Sequence, residues 1–235
     1  MEFKIYPLSE NALLIQFDFK NDNLIEQIQE VQKAIQQINL YPFDGFLELV
    51  PAYHTITIYY NPYVIKDPFP FLSAKRYLES LLHSSISKVV QNKRYFEIPV
   101  CYEGEFALDL SELASCNNLT IEEAIHLHTS VVYDIVFIGF SPGFPFLAGL
   151  DKNLHYPRKK SPRLKVRQGS VGIAGNQTGI YPLDSPGGWQ IIGRTPIRLF
   201  DITNEKPTLL KAGDQIKFYS ITQKEFEQWE KQQWE

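Results

Sequence analysis

The chain changes its rhythm partway along. Apolar and polar residues alternate in "NALLIQFDF" as in a half-buried strand, and "NDNLIEQIQEVQKAIQQIN" then sets Leu24, Ile28, Val31, Ile35 and Ile38 on one helical face. "GFLELVPAYHTITIYYNP" reads as two strands turned at Pro51-Ala52, with Ile56 and Ile58 facing one side and Thr55 and Thr57 the other. A second helix is expected around "FLSAKRYLESLLHSS", and a short strand at "ISKVV". The order strand, helix, strand, strand, helix, strand is that of a small split β-α-β sandwich.

After the linker "QNKRY", the strand "FEIPVCYEG" opens a second pattern. Two short helices follow, where Asp109 with Glu112 and Thr120 with Glu123 each match a capping box. From Val131 onward, short strands separated by turns indicate a barrel or sandwich, with "GDQIKFYSIT" as its last strand. The glutamine-rich tail "QKEFEQWEKQQWE" reads as an exposed terminal helix. Glycine usage supports the same division. Residues 139–196 hold ten of the thirteen glycines, whereas residues 1–92 hold only Gly45. The expected organisation is therefore α+β in two domains, 1–92 and 93–235.

Composition narrows the functions. At 44% hydrophobic and 21% charged residues, the 235-residue chain has an ordinary globular balance. A net charge of −4 gives no global attraction to nucleic acid or an anionic membrane. The helix pair "LSELASCNNLTIEEAIHLH" faintly resembles a helix-turn-helix, but its second helix carries Glu122 and Glu123 and no lysine or arginine. Acids set against phosphates argue against DNA binding. No apolar run approaches the twenty residues of a membrane span, and the first residues lack a signal-peptide layout. Cys101 and Cys116 have no metal spacing and suggest a reduced, cytoplasmic protein, with a disulfide between them as the alternative.

Gly139-Phe140-Ser141-Pro142-Gly143 spells the G-x-S-x-G of a serine-hydrolase elbow. The residue after that serine supplies an oxyanion-hole N–H, and Pro142 has none; the following Gly143 and Pro145 also break any helix there. There is no Walker phosphate loop, "GSVGIAGNQTG" is not a dinucleotide fingerprint, and His126 and His128 lie on different sides of a helix. No metal is expected in this chain.

Three features remain. Arg158, Lys159, Lys160, Arg163, Lys165 and Arg167 form a run without an acid, from which Arg163 is expected to point inward toward a carboxylate or phosphate. Gln177, Thr178, Tyr181 and Trp189 either line a pocket or, for the two aromatics, fill a barrel core. Arg194 either binds an anion bidentately or ties a loop to Asp184 or Asp201.

The run "GFSPGFPFLAGL…PR…SPR…V..GSVGIAGNQTGIYPLDSPGGWQIIGRTPIRLFD" resembles the allophanate hydrolase subunit 1 family, which includes the B subunit of 5-oxoprolinase and an inhibitor of a sporulation sensor histidine kinase. The resemblance spans nearly all of the C-terminal part, and the N-terminal part in outline. It implies a cyclophilin-like β-barrel after the small domain. It also implies that the Phe140, Phe144 and Phe146 segment walls a cleft, and that Ser141 is not a nucleophile. By the same resemblance, the chain is the B subunit of an ATP-dependent 5-oxoprolinase, inactive alone. With the A and C subunits of 5-oxoprolinase it converts 5-oxo-L-proline to L-glutamate, with ATP contacts shared among partners. The implied site comprises His128 as acid or base, with Phe140, Phe144, Arg163, Gln177, Thr178, Tyr181, Trp189 and Arg194 binding substrate. The alternative is a regulatory protein that inhibits autophosphorylation of a sensor histidine kinase. Action on allophanate itself ranks last, because no serine–lysine machinery is visible.

Overall fold

The computed structural model describes residues 2–20, 24–84 and 93–232. The chain forms two compact units, Met1–Asn92 and Lys93–Glu235.

The first unit runs β1 (Glu2–Ser9), β2 (Ala12–Asp18), α1 (Leu24–Leu40), β3 (Phe46–Pro51), β4 (Thr55–Tyr60) and α2 (Pro70–His83). Its sheet has the order β1-β2-β4-β3, with every neighbouring pair antiparallel. β2 and β3 thus run parallel with β4 between them, which is the split β-α-β arrangement. Alternation in the strands does the sorting. Leu13, Ile15, Ile56 and Ile58 face inward against Val31, Ala34 and Ile38 of α1 and Ala74, Leu78 and Leu82 of α2. Strand β1 is an addition to the expected set. It is an edge strand with Ile5 as its one buried residue and Pro7 within it, so it carries almost no hydrophobic period. The strand expected at "ISKVV" lies outside the described residues.

The second unit contains β5 (Tyr95–Cys101), a 3₁₀ turn at Gly104–Phe106, α3 (Leu110–Cys116), α4 (Ile121–Thr129), β6 (Val132–Ile138) and β7 (Pro145–Ala148). It continues through β8 (Arg163–Val166), β9 (Ser170–Ala174), β10 (Gln177–Ile180), β11 (Ser185–Gly187), β12 (Gln190–Arg194), β13 (Gln215–Ile221) and α5 (Gln223–Gln232). Seven strands close a barrel in the order β10-β7-β6-β13-β5-β12-β9, and β8 with β11 form a separate ribbon. Closure removes exposed sheet edges, and the interior is filled by Ile98, Val100, Ile135, Leu147, Ile173, Ile192 and Phe218 among others. At Gly179 the strands come so close that a Cβ would sit 2.8 Å from the Pro145 carbonyl oxygen. That is one reason this half of the chain needs glycine.

The capping box expected on α4 forms. Thr120 Oγ1 accepts from the Glu123 N–H (3.1 Å), and Glu123 Oε2 accepts from the Thr120 N–H (2.7 Å). The one expected on α3 does not: Asp109 precedes the helix but makes no side-chain cap. The tail is helical but not merely exposed. Phe226 is fully buried against Phe106, Cys101 and Ile221, so one apolar side chain pins α5 to the barrel. Cys101 (buried) and Cys116 (exposed) are both free thiols, so the disulfide alternative is not formed. Among the described residues no helix is long and apolar enough to cross a membrane.

Candidate functional site

The G-x-S-x-G segment joins β6 to β7, two antiparallel neighbours in the barrel wall, so it is a hairpin and not a strand-to-helix elbow. The Ser141 N–H donates to the Gly139 carbonyl (2.8 Å) and the Phe144 N–H to the Ser141 carbonyl (3.0 Å). Ser141 Oγ is buried without a hydrogen-bond partner, so no base activates it. The tight path forces Phe140 to a φ of +68°, a left-handed conformation that costs an L-residue roughly 1–2 kcal/mol. Phe140 is also 67% exposed.

Beneath Phe140 lies an aromatic array. Its ring meets Phe144 and Tyr181 edge-on at centroid distances of 5.6 and 6.4 Å, and Phe144 in turn meets Tyr181 at 5.2 Å and Trp189 at 5.3 Å. Phe144, Tyr181 and Trp189 are all buried, as in the core-filling alternative for the latter two. They form a packed floor from which Phe140 projects. The guanidinium of Arg158 lies 5.8 Å from the Trp189 ring centroid, within cation–π range. Burial raises the pKa of Tyr181, opposed by the Trp189 backbone N–H and the charges of Arg158 and Arg163.

His128 and Thr178 come together, but inside the barrel. His128 is 0% exposed, with its ring stacked 4.6 Å from that of Phe218. Thr178 Oγ1 donates to the Gly172 carbonyl (3.1 Å), which leaves it to accept from His128 Nε2 (3.1 Å). His128 Nδ1 then accepts from the Tyr102 hydroxyl (2.8 Å). One neutral tautomer satisfies the whole chain, and burial lowers the imidazole pKa to about 3. An acid or base must reach the reacting atom, and this enclosed ring does not fit that expected role. Gln177 begins β10 beside Ala174 and is half-buried.

The two arginines meet at a different place. Arg163, on the β8 ribbon, donates from Nη2 to Asp109 Oδ1 (2.6 Å), which also receives Lys159 Nζ (3.0 Å). Asp109 Oδ2 accepts the Ile191 N–H at 2.6 Å. Burial pushes the Asp109 carboxyl up, but the bonds from Arg163, Ile191 and Lys159 outweigh it and its pKa is lowered. This is why Asp109 does not cap α3: its oxygens hold the ribbon to β12. Arg163 Nη1 is buried and has no hydrogen-bond partner. Arg194, at the end of β12, donates from Nε to the Gln168 carbonyl (2.8 Å), and its guanidinium lies beside the packed rings of Phe226 (5.3 Å) and Phe106 (6.0 Å). It ties to neither Asp184 nor Asp201. Its acidic neighbour is Glu230 of α5, at 3.5 Å.

Arg163 and Arg194 both line a cavity of about 150 Å³, together with Lys165, Arg167, Ser170 and Glu105 over an apolar floor of Phe106, Leu108, Val166 and Ile191. Sequence reasoning found the two arginines and missed Asp109, Phe106 and Phe226, which hold them. Each of those three contacts joins residues far apart in the chain, so no local spacing announces it. Among the described residues no group of His, Cys, Asp or Glu side chains is arranged to hold a metal ion.

Residues 3–210 match the family described as carboxyltransferase domain, subdomain C and D. The chain is 43% identical to the 5-oxoprolinase B subunit of Bacillus subtilis, over 96% of both chains. It is 40% identical to the 5-oxoprolinase B subunit of Escherichia coli O157:H7, over 83% of this chain and 87% of that one. The crystal structure of TTHA0988 shares the fold with a TM-score of 0.74 at 33% identity, covering 93% of this chain and 40% of that one. This chain therefore spans less than half the length of that protein. The barrel, the glycine-dense walls and these relatives agree: the chain belongs to the carboxyltransferase subdomain C and D family, among its members that are B subunits of 5-oxoprolinase.

Proposed function

We propose that this chain is the B subunit of an ATP-dependent 5-oxoprolinase, acting in the cytoplasm with the A and C subunits to hydrolyse 5-oxo-L-proline to L-glutamate. The observation that carries this reading is the 43% identity to a 5-oxoprolinase B subunit along 96% of both chains. The chemistry accounts for the need for several subunits. A lactam is a weak electrophile, and ATP supplies a phosphoryl group that makes its oxygen a leaving group. Two cavities among the described residues do not suit the nucleotide itself. The basic one, at about 150 Å³, is half the smallest size usual for a drug-sized ligand (~300 Å³). A larger one of about 380 Å³ in the first unit presents Asp44 and Asp67 against a single Lys66, an unfavourable lining for a triphosphate. In this reading the ATP contacts are shared with the partner subunits.

In this reading Arg163 and Arg194 hold an anionic group at the basic cavity, and Phe140 offers an exposed apolar contact. Phe144, Tyr181 and Trp189 hold that loop in place. His128 and Thr178 keep the barrel rigid. The chain alone should show no turnover, and mixing it with the A and C subunits should release glutamate and ADP from 5-oxoproline. No gain over those two subunits without it would end this reading.

A further inference from the structure

The four cations around the basic cavity are not equivalent. Lys165 is paired with Asp184 at 2.8 Å, and Arg167 with Glu105 at 3.2 Å. Arg163 spends Nη2 on the buried Asp109 and keeps a buried Nη1 with no partner. A buried donor left without a partner costs about 1–3 kcal/mol, so such groups in folded proteins call for a reason. Arg194 is the loosest of the set. Its Nε is fixed by the Gln168 carbonyl, which leaves the two Nη groups as the face open to an oxyanion. Nη2 is paired with Glu230 at 3.5 Å, beyond ordinary charge-assisted hydrogen-bond length, with that carboxylate side chain 44% exposed.

Glu230 belongs to α5, which lies beyond the residues 3–210 that match the family. Phe226, one turn earlier, is clamped under the same guanidinium. The helix therefore delivers a carboxylate to Arg194 from its own side. There a second, smaller cavity of about 90 Å³ is lined by Gln168, Arg194, Thr195, Arg198 and Glu230. A bidentate carboxylate needs both Nη groups, so an outside carboxylate and Glu230 compete for Nη2.

We propose that Arg194 and the unpartnered Nη1 of Arg163 bind the carboxylate of a small acid with an apolar body, and that Glu230 of α5 is the internal counter-ion which this ligand displaces. The ligand class follows from the lining: cations on one side, apolar Phe106, Val166 and Ile191 on the other, in about 150 Å³. A cyclic amino-acid derivative fits that space, and a nucleotide does not. The assignment rests on the anion role given above to the two arginines. Its test reads binding to the chain alone, so a failure of reconstituted turnover and a failure here are distinguishable.

The experiment titrates the full chain with 5-oxo-L-proline, L-glutamate and inorganic phosphate, following amide and arginine side-chain NMR shifts. The carboxylates should bind and move the Arg194 Nε–H resonance. Glu230→Gln should tighten their binding by about two- to fivefold, the effect of removing a loose, half-exposed ion pair. Arg194→Lys should weaken it by about tenfold or more, since lysine keeps the charge but loses the fork. Thermal melts of both variants check that the fold is kept. Unchanged or weaker carboxylate binding by Glu230→Gln would overturn the counter-ion role. Binding of phosphate without either carboxylate would overturn the ligand class.

Discussion

Two places in the second unit use the same kinds of polar side chain to opposite ends. In the barrel interior, His128, Thr178 and Tyr102 form a closed chain in which each ring nitrogen and hydroxyl is satisfied and nothing reaches solvent. At the basic cavity, Arg163 and Arg194 are anchored by one strong contact each and keep guanidinium nitrogens that are loosely engaged or without a partner. A network with every group paired rigidifies a core, whereas one left incomplete beside a cavity is equipped to bind. Identity as histidine or arginine says little about which case applies. The difference lies in what remains unpaired.

Breaking the anchor of the open network should have the largest effect. Asp109→Ala strips the counter-charge from Arg163 and Lys159 and orphans the Ile191 N–H, so a loss of about 3 kcal/mol is expected in urea unfolding. The lower end of the usual range applies because both cations keep part of their surface in water. A variant within 0.5 kcal/mol of the parent, roughly the scatter of ordinary surface substitutions, would show that the ribbon is held by something else. Arg194→Lys should act on function instead. Turnover of the reconstituted complex should drop about ten- to a hundredfold, as for the loss of a charge-assisted contact of ~1.5–3 kcal/mol, with melting little changed. A destabilised but fully active protein would assign Arg194 a purely structural role.

The closed network is sharpened by pH. Burial holds the folded His128 pKa at about 3, against 6.5 for the free side chain. Below pH 6.5 the unfolded chain takes up a proton that the folded chain refuses, so stability is full above 6.5 and falls as pH drops toward 3. The slope from this one group is at most about 1.4 kcal/mol per pH unit. Asp109, Asp184 and Asp201, whose pKa values are lowered from 3.8, begin to add their losses as pH falls toward that value, in the lower part of the same range. Urea midpoints at pH 7.5, 6 and 4.5 measure the slope, and His128→Leu should flatten it while lowering stability at every pH. An equal slope in that variant would remove His128 as the cause. The smallest effect is expected at Ser141. Ser141→Ala deletes a buried hydroxyl without a partner, so a gain of about 1 kcal/mol and unaltered turnover are expected. Loss of activity there would restore the nucleophile that the hairpin geometry argues against.

Local signals carried the fold a long way. The period of Ile28, Val31, Ile35 and Ile38 placed α1, the alternation around Ile56 and Ile58 placed β4, and Thr120 with Glu123 placed the start of α4. Strand β1 escaped because a single inward residue makes no period. The sequence also separated G-x-S-x-G from a hydrolase elbow, since Pro142 removes an N–H whatever the tertiary setting. Of the site, it picked out Arg163 and Arg194 by their place in turns and basic surroundings. The family resemblance grouped His128 with them, and Tyr181 and Trp189 stayed open between pocket and core, because residue type does not report enclosure.

The sequence by itself thus determined most of the helices and strands and the family, because periodicity, proline and glycine act within a few residues of where they stand. Which polar groups are satisfied was decided only by the tertiary structure. Asp109 meets Arg163 across 54 residues and the Ile191 N–H across 82, and the pairing exists because barrel closure brings β12 and the ribbon to the same end of α3. Burial is likewise a property of the closed barrel, and burial made His128 a neutral core residue with a pKa of about 3. An unpaired donor or a displaced pKa is a sum over neighbours from the whole chain, and no window of sequence contains that sum.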